Sequence, residues 1–232
     1  MNSPKFGVQL STLKSRIPEL GAYTTLRKCA EIGYPTVEVS QIPMTAENVA
    51  EVKRAGADFG ITVAALSASL EPMVPGMKGE TLSADYEKIV DDCRSLDCSM
   101  LRIGILPMNC LNSVDNALGF IQRAEEMAIR LKGDGIGLYY HNHHVEFVRY
   151  DGEFLLDLFR KRTEQLGFEL DIHWIHRGGV DPVAYIAGFA GRARLLHLKD
   201  YRIGPVTMPE GPFDVSKFMR AFTNVVEFAR DR

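Results

Sequence analysis

The residues best suited to chemistry concentrate in one stretch, residues 135–147. An apolar run leads into His141, His143 and His144, three of the chain's six histidines, and Glu146 follows directly. A strand of a parallel α/β sheet reads as a nearly continuous hydrophobic run, and its carboxyl end opens onto the functional face. Side chains two apart on a strand point the same way, so His141 and His143 are predicted to share a face. Two imidazoles and a carboxylate can bind a divalent metal, or divide metal binding from proton transfer.

Two later stretches carry similar groups. Asp171 and His173 alternate within residues 167–174, and His197 and Lys199 alternate within residues 194–200. If both stretches are strands, each pair shares a face. Taken singly, Asp171 is equally well explained as a capping carboxylate and His197 as a core histidine. At equivalent strand ends they indicate a metal site, with reactive atoms within about 5 Å of each other.

Seven predicted strands alternate with helices and would position these groups. The strands cover residues 5–10, 36–40, 61–66, 100–105, 135–141, 167–174 and 194–200. The helices cover residues 23–32, 45–59, 83–96, 113–131, a segment capped by Asp151 and ending near 162, a segment from 181, and 215–229. This alternation is typical of βαβ units with a parallel sheet.

The polar residues favour a barrel over an open sheet. They fall at the ends of different strands, which a barrel gathers around one pocket; they are Ser11, Ser40, Ser67, Arg102, His141, Asp171 and His197. Arg102 is a candidate to bind an anionic or hydroxyl group of a substrate, and an ion pair on the barrel rim explains it equally well. No shift in composition marks a linker, so we expect one domain over residues 1–232.

The bulk composition excludes several classes of protein. The net charge is -3 and no basic block appears, which argues against a general nucleic-acid or anionic-membrane binder. No apolar run approaches membrane-spanning length, and the N-terminus lacks the form of a secretory signal. The four cysteines form no Cys-x-x-Cys pair, so we expect buried, reduced thiols in a cytoplasmic protein.

Three motifs also carry a family resemblance. His141-Asn-His-x-x-Glu146-Phe, Leu170-Asp-x-x-Trp174 and Leu196-His-Leu-Lys-Asp200 resemble the xylose isomerase-like, sugar phosphate isomerase/epimerase superfamily of TIM barrels. The openings Gly7-Val-Gln-Leu and Gly33-Tyr-x-x-Val-Glu38 resemble it as well. The similarity extends over essentially the whole chain, and it is more specific to the superfamily than to any one reaction.

The resemblance implies one divalent metal ion, Mn, Mg, Co or Zn, held by Glu146, Asp171 and His197. His141 or His143 could hold the place of Glu146, and His173 could add a ligand or block part of the pocket. Relatives supply a fourth ligand from an eighth strand that is not evident in this sequence. We therefore expect a (β/α)8-type barrel without its eighth strand, with exposed edges on the first and seventh strands that favour a homo-oligomer.

The function that follows is a metal-dependent isomerase or epimerase of a sugar, sugar phosphate or polyol ketone. His143 and Glu146 would transfer protons and Lys199 would polarise a substrate oxygen; His141, Arg102, His173 and Trp174 would contact substrate. If His143 abstracts the proton, the reaction rate would rise as its imidazole loses a proton. This rise is expected near pH 6 to 7, because the unperturbed imidazole pKa is ~6.5. A lyase of the inosose dehydratase or keto-glycoside-cleaving type is the alternative, and a non-catalytic sugar-binding barrel is a third. A nuclease of the AP endonuclease family 2 type is disfavoured, because it would need more metal ligands and a basic surface.

Overall fold

The structure is a computed structural model that describes residues 4–199, 201–205, 211–212, 214–217 and 226–228. The strands are β1 (Val8–Gln9), β2 (Thr36–Val39), β3 (Thr62–Ser67), β4 (Met100–Ile103), β5 (Gly137–His141), β6 (Arg149–Tyr150), β7 (Glu153–Phe154), β8 (Gly167–Asp171), β9 (Ala193–His197), β10 (Tyr201–Ile203) and β11 (Val226–Phe228). The helices are α1 (Arg16–Ile32), α2 (Ala46–Phe59), α3 (Tyr86–Ser95), α4 (Val114–Gly133), α5 (Leu155–Arg162), α6 (Ile172–Arg177) and α7 (Pro182–Ala187).

Seven strands form one parallel sheet in the order β1-β2-β3-β4-β5-β8-β9, and every neighbouring pair is parallel. The sheet curls into a half-barrel, which confirms the predicted barrel with a missing strand. In the part of the chain that the structure describes, β1 and β9 are the edges of this sheet and do not pair with each other. The curl nevertheless brings Gln9 Nε2 of β1 within 3.3 Å of His197 Nε2 of β9. Polar side chains therefore meet across the opening although the backbones do not.

Local sequence explains where several helices begin and end. The Thr45 side chain accepts a hydrogen bond from Asn48 N–H at the start of α2, and Ser113 accepts one from Asn116 N–H at the start of α4. Gly60 ends α2 with a φ of 70°, a conformation that glycine adopts without steric cost.

One hydrophobic core joins the strands to the inner faces of the helices. Behind β5, the rings of Tyr140 and Phe159 stack with centroids 4.2 Å apart, and Phe120 packs edge-on against both. The four cysteines are free and buried, as expected. Among the described residues, no helix combines the length and the apolarity needed to cross a membrane.

The structure corrects two predicted helix starts. Asp151 does not cap a helix: it has a φ of 50° in the turn of a β6–β7 hairpin, and α5 begins only at Leu155. Helix α1 starts at Arg16, earlier than predicted, and runs across a kink at Gly21. Glycine tolerates the φ of 76° found there, so the chain continues as a helix on both sides of the kink.

Two further predictions fail near the candidate site and the C-terminus. The strand predicted to reach residue 174 ends at Asp171, because the Asp171 side chain caps α6 from residue 172 onward. His173 is therefore a helical residue and does not share a strand face with Asp171. Of the described residues in the predicted final helix, 215–217 are helical, whereas Val226–Phe228 forms β11, whose backbone pairs antiparallel with β10. The rest of the predicted helix, residues 218–225 and 229, lies outside the described residues.

Candidate metal centre and active site

Three side chains converge at the carboxyl ends of three adjacent strands: His141 of β5, Asp171 of β8 and His197 of β9. Asp171 Oδ2 lies 3.4 Å from His141 Nε2 and 3.7 Å from His197 Nδ1. All three candidate ligand atoms lie within 4.8 Å of one another. The predicted proximity of Asp171 and His197 is confirmed, and the set has the nitrogen and oxygen chemistry that suits Mn, Mg, Co or Zn.

The two oxygens of Asp171 serve different purposes. Oδ1 accepts the Trp174 N–H at 3.1 Å and caps α6, which leaves Oδ2 facing the histidines. The Asp171 N–H donates to Asn142 Oδ1 at 2.9 Å, tying the end of β8 to the end of β5. Asp171 is also the register partner of His197 on β9. The capping and metal interpretations of Asp171 are therefore compatible.

A cation already stands beside Asp171, since Lys199 Nζ lies 2.8 Å from Oδ2. Burial opposes ionisation of Asp171, but the adjacent His141, His197 and Lys199 side chains outweigh it and hold the pKa of this carboxyl well below its usual range. The Lys199 ammonium also lies 5.0 Å from the centroid of the Trp174 ring. Asp171 is thus an anion at neutral pH, ready to share its charge with a cation.

The surroundings of His141 test whether a divalent metal ion fits here. Burial lowers the pKa of His141 to about 4, so the ring is neutral and carries a single N–H. Two acceptors face it: Gly104 O lies 3.3 Å from Nδ1, and Asp171 Oδ2 lies 3.4 Å from Nε2. A metal ion bound by His141 and Asp171 would remove this mismatch. Among the described residues His197 Nδ1 is buried without a hydrogen-bond partner, so the residues present fit the ion.

A second layer of charged side chains lies behind His197. Glu38 Oε2 is 2.7 Å and Glu169 Oε1 is 3.2 Å from His197 Nε2. Arg102 Nε lies 2.8 Å from Glu38 Oε1 and 3.1 Å from Glu169 Oε2. Glu38, Glu169 and His197 also have the spacing of metal ligands. The Arg102 guanidinium, however, already supplies positive charge to both carboxylates.

The charges of this layer depend on each other. Burial would lower the pKa of His197, but its carboxylate neighbours Asp171, Glu169 and Glu38 raise it to about 11. Without a metal ion the ring is therefore protonated, and it would release the Nδ1 proton on binding an ion. Burial raises the pKa of Glu169 to about 7. Burial acts on Glu38 in the same direction, yet Arg102 and His197 outweigh it and lower the pKa of Glu38.

Sequence reasoning did not identify Glu38 or Glu169 as site residues. A signal was available, because Glu169 precedes Asp171 by two residues and so shares its strand face, and Glu38 is a charge inside a buried strand. Arg102 was identified, but the structure favours the alternative interpretation of an ion pair. That pair lies inside the barrel rather than on its rim, with the Arg102 side chain 5% exposed.

The structure does not bring Glu146 to the metal cluster. Its oxygens accept hydrogen bonds from the Tyr140 hydroxyl at 2.6 Å and from His143 N–H at 2.7 Å. Burial raises the pKa of Glu146 to about 6. His141 takes the position expected for Glu146, and Glu146 instead fixes the backbone that presents His143.

Aromatic rings form one wall of the site beside Lys199. The His143 ring centroid lies 4.7 Å from that of His141 and 5.4 Å from that of Trp174, and the Trp174 ring also contacts His144 at 5.1 Å. His173 is buried between Trp174 and Tyr201, at 4.7 Å and 4.8 Å, and belongs to neither metal-ligand cluster. His143 and Trp174 therefore lie next to the ligand cluster, whereas His173 packs against Trp174 and Tyr201.

Parallel strands with a His–Asp–His cluster at their carboxyl ends define an α/β barrel with a potential metal centre. The model of the family described as "Xylose isomerase-like TIM barrel" matches residues 26–225, and the chain belongs to this family. A comparison with curated proteins found no match.

Solved structures share the fold. A sugar phosphate isomerase/epimerase from Parabacteroides distasonis is 22% identical, with 97% of this chain and 84% of that chain covered and a TM-score of 0.70. A xylose isomerase-like TIM barrel protein from Mycobacterium smegmatis in complex with magnesium is 16% identical, with coverages of 97% and 79% and a TM-score of 0.66. A probable 3-DHS dehydratase from Bacillus anthracis is 12% identical, with coverages of 87% and 74% and a TM-score of 0.67.

Proposed function

We propose that the chain is a divalent-metal-dependent isomerase or epimerase of a sugar, sugar phosphate or polyol ketone. The observation that carries the proposal is the convergence of His141, Asp171 and His197, with Lys199 beside them, at the carboxyl ends of barrel strands. Active sites of TIM barrels lie at this end. One structural relative is a sugar phosphate isomerase/epimerase and another is in complex with magnesium, which supports this substrate class and this cofactor.

His141, Asp171 and His197 would hold the ion. When bound, a divalent ion acidifies the C–H next to a substrate carbonyl by drawing charge from the carbonyl oxygen. Lys199, half-buried beside Asp171, donates a hydrogen bond to a substrate oxygen. Trp174 offers an apolar ring face beside it, on which the C–H groups of a sugar pack.

His143 is the proposed residue for proton abstraction. Burial, with the nearby positive charges, lowers the pKa of His143 to about 3, so its imidazole is neutral at physiological pH. This pKa lies below the unperturbed value of ~6.5 on which the expected rise of the rate near pH 6 to 7 was based. Glu146 contributes by holding the His143 N–H, and proton transfer by Glu146 itself is not part of the proposal.

A lyase remains the second candidate, because a probable dehydratase is among the relatives of known structure. It would use the same proton abstraction by His143 and then expel a group from the β carbon. In either case we expect a carbohydrate substrate, and we expect neither a nucleic acid nor a membrane as a partner. The buried free cysteines favour a reducing, cytoplasmic location.

The test is product analysis in D₂O with the Mn²⁺-loaded protein and a panel of ketoses and inososes. An isomerase or epimerase conserves the substrate mass apart from deuterium introduced at carbon, whereas a dehydratase loses water. Asp171→Asn should abolish the reaction, and Glu153→Gln, at an exposed ion pair with Lys161, should not. If the metal-loaded protein binds sugars but does not convert them, the proposed enzymatic activity is refuted, and the protein is a non-catalytic sugar-binding barrel.

A further inference from the structure

The two histidines of the cluster are anchored through opposite ring nitrogens. His141 has Gly104 O at 3.3 Å from Nδ1, which leaves Nε2 toward Asp171. His197 has Glu38 Oε2 at 2.7 Å from Nε2, which leaves Nδ1 toward Asp171. Metal-bound histidines almost always donate the N–H of the other nitrogen to a carbonyl or a carboxylate, and this contact fixes the ring. Both rings of the cluster have such a partner.

Glu38 is itself held in one orientation. Its Oε1 accepts hydrogen bonds from Arg102 Nε at 2.8 Å and from Gln9 Nε2 at 2.9 Å, so Oε2 is the oxygen left for His197. The Glu38 side chain is 9% exposed and Arg102 is 5% exposed. These contacts join β1, β2, β4 and β9. The curl of the sheet therefore places the Glu38 carboxylate, held by Arg102 and Gln9, against Nε2 of the His197 ring.

We infer that Glu38 is a positioning residue for the metal centre, which selects Nδ1 of His197 as the metal-ligating atom. This inference rests on the metal centre proposed above. Glu169, 3.2 Å from the same Nε2, reinforces the contact but is paired with Arg102 on its other side. Without Glu38 the ring would lose its shortest anchor, and Nδ1 would no longer be held toward Asp171 Oδ2.

Glu38→Gln tests the inference with little change of shape. A carboxylate accepts at both oxygens, whereas an amide accepts at only one position and donates at the other. The glutamine can satisfy either Arg102 and Gln9 or the His197 N–H, and it cannot satisfy both sides. Loss of such a partner typically weakens metal binding by about 10- to 100-fold.

The metal affinity is measured with Mn²⁺ alone, by the electron paramagnetic resonance signal of the free ion. Glu38→Gln should weaken Mn²⁺ binding by about 10- to 100-fold. Glu153→Gln, the matched control, should leave it unchanged. If Glu38→Gln does not fold, Glu38→Asp replaces it in the test. The aspartate keeps the negative charge that pairs with Arg102, but its shorter side chain withdraws the carboxylate oxygen from the His197 ring, so Mn²⁺ binding should again weaken. Unchanged affinity in a folded Glu38 variant would overturn the inference.

Nitrogen NMR of ¹⁵N-histidine-labelled protein provides a readout independent of activity. In the Zn²⁺-loaded wild type, we expect His197 Nδ1 to carry the shift of a metal-bound nitrogen and Nε2 to keep a proton protected from exchange. Glu38→Gln should lose that protection. A metal ion bound through His197 Nε2 would refute the assignment of Nδ1 as the ligating atom but not the proposed metal centre. A wild-type protein that binds neither Zn²⁺ nor Mn²⁺ would refute the proposed metal centre, and the assignment with it.

Discussion

Replacing Glu146 with glutamine should change how the stability of the protein depends on pH. Burial raises the pKa of Glu146 from 4.5 to about 6 in the folded protein. An acid whose folded pKa is raised stabilises the fold while it is protonated. That contribution is fully present below pH 4.5 and is lost as the pH rises through 6. The difference between a pKa of 4.5 and a pKa of about 6 corresponds to about 2 kcal/mol.

Because glutamine does not titrate, the variant should not lose this stability as the pH rises. Its amide oxygen can accept the His143 N–H, and the Tyr140 hydroxyl can rotate to accept from the amide nitrogen. The unfolding free energy of Glu146→Gln minus that of the wild type should therefore increase by about 2 kcal/mol between about pH 4 and about pH 8.

Urea denaturation followed by circular dichroism at several pH values measures this difference. Glu153→Gln, at the exposed pair with Lys161, controls for loss of a surface carboxylate. A difference that stays flat or falls with rising pH would refute the reasoning. Mn²⁺ affinity separates the two interpretations of Glu146: a residue that only supports the loop should change it little, whereas a metal ligand should change it strongly.

The remaining predictions concern the site, the core and the assembly. His143→Ala should lower turnover on the order of 10²-fold in steady-state kinetics while Mn²⁺ affinity is retained; unaltered turnover would remove His143 from the mechanism. Lys199→Met should tighten Mn²⁺ binding in the same titration, because it removes a cation 2.8 Å from Asp171 Oδ2; weaker binding would contradict this. Phe159→Ala should reduce the unfolding free energy by about 3–5 kcal/mol in urea denaturation, because its ring is fully buried. Light scattering should show an oligomer, since β1 and β9 are the sheet edges among the described residues; a monodisperse monomer with slow amide exchange in both strands would disprove it.

The sequence by itself determined the barrel and two members of its candidate metal centre. Apolar runs that alternate with helical patterns specify parallel strands, and polar residues at the ends of the runs specify the face on which chemistry occurs. Asp171 and His197 could be paired for this reason, although 26 residues separate them. The caps at Thr45 and Ser113 could be predicted because capping depends on neighbouring residues alone.

Only the tertiary structure decided which side chains share the centre and in what charge state. Strand periodicity gives the face of a residue but not its partners across a closed curl, so the contact of Glu38 with His197, 159 residues away, could not be read from the sequence. The choice of His141 over Glu146 depended on the Tyr140 hydroxyl and the His143 N–H, which turn Glu146 away from the cluster. The neutrality of His143 depended on burial, because removal of water from a charged group is a property of the packed environment and not of the residue type.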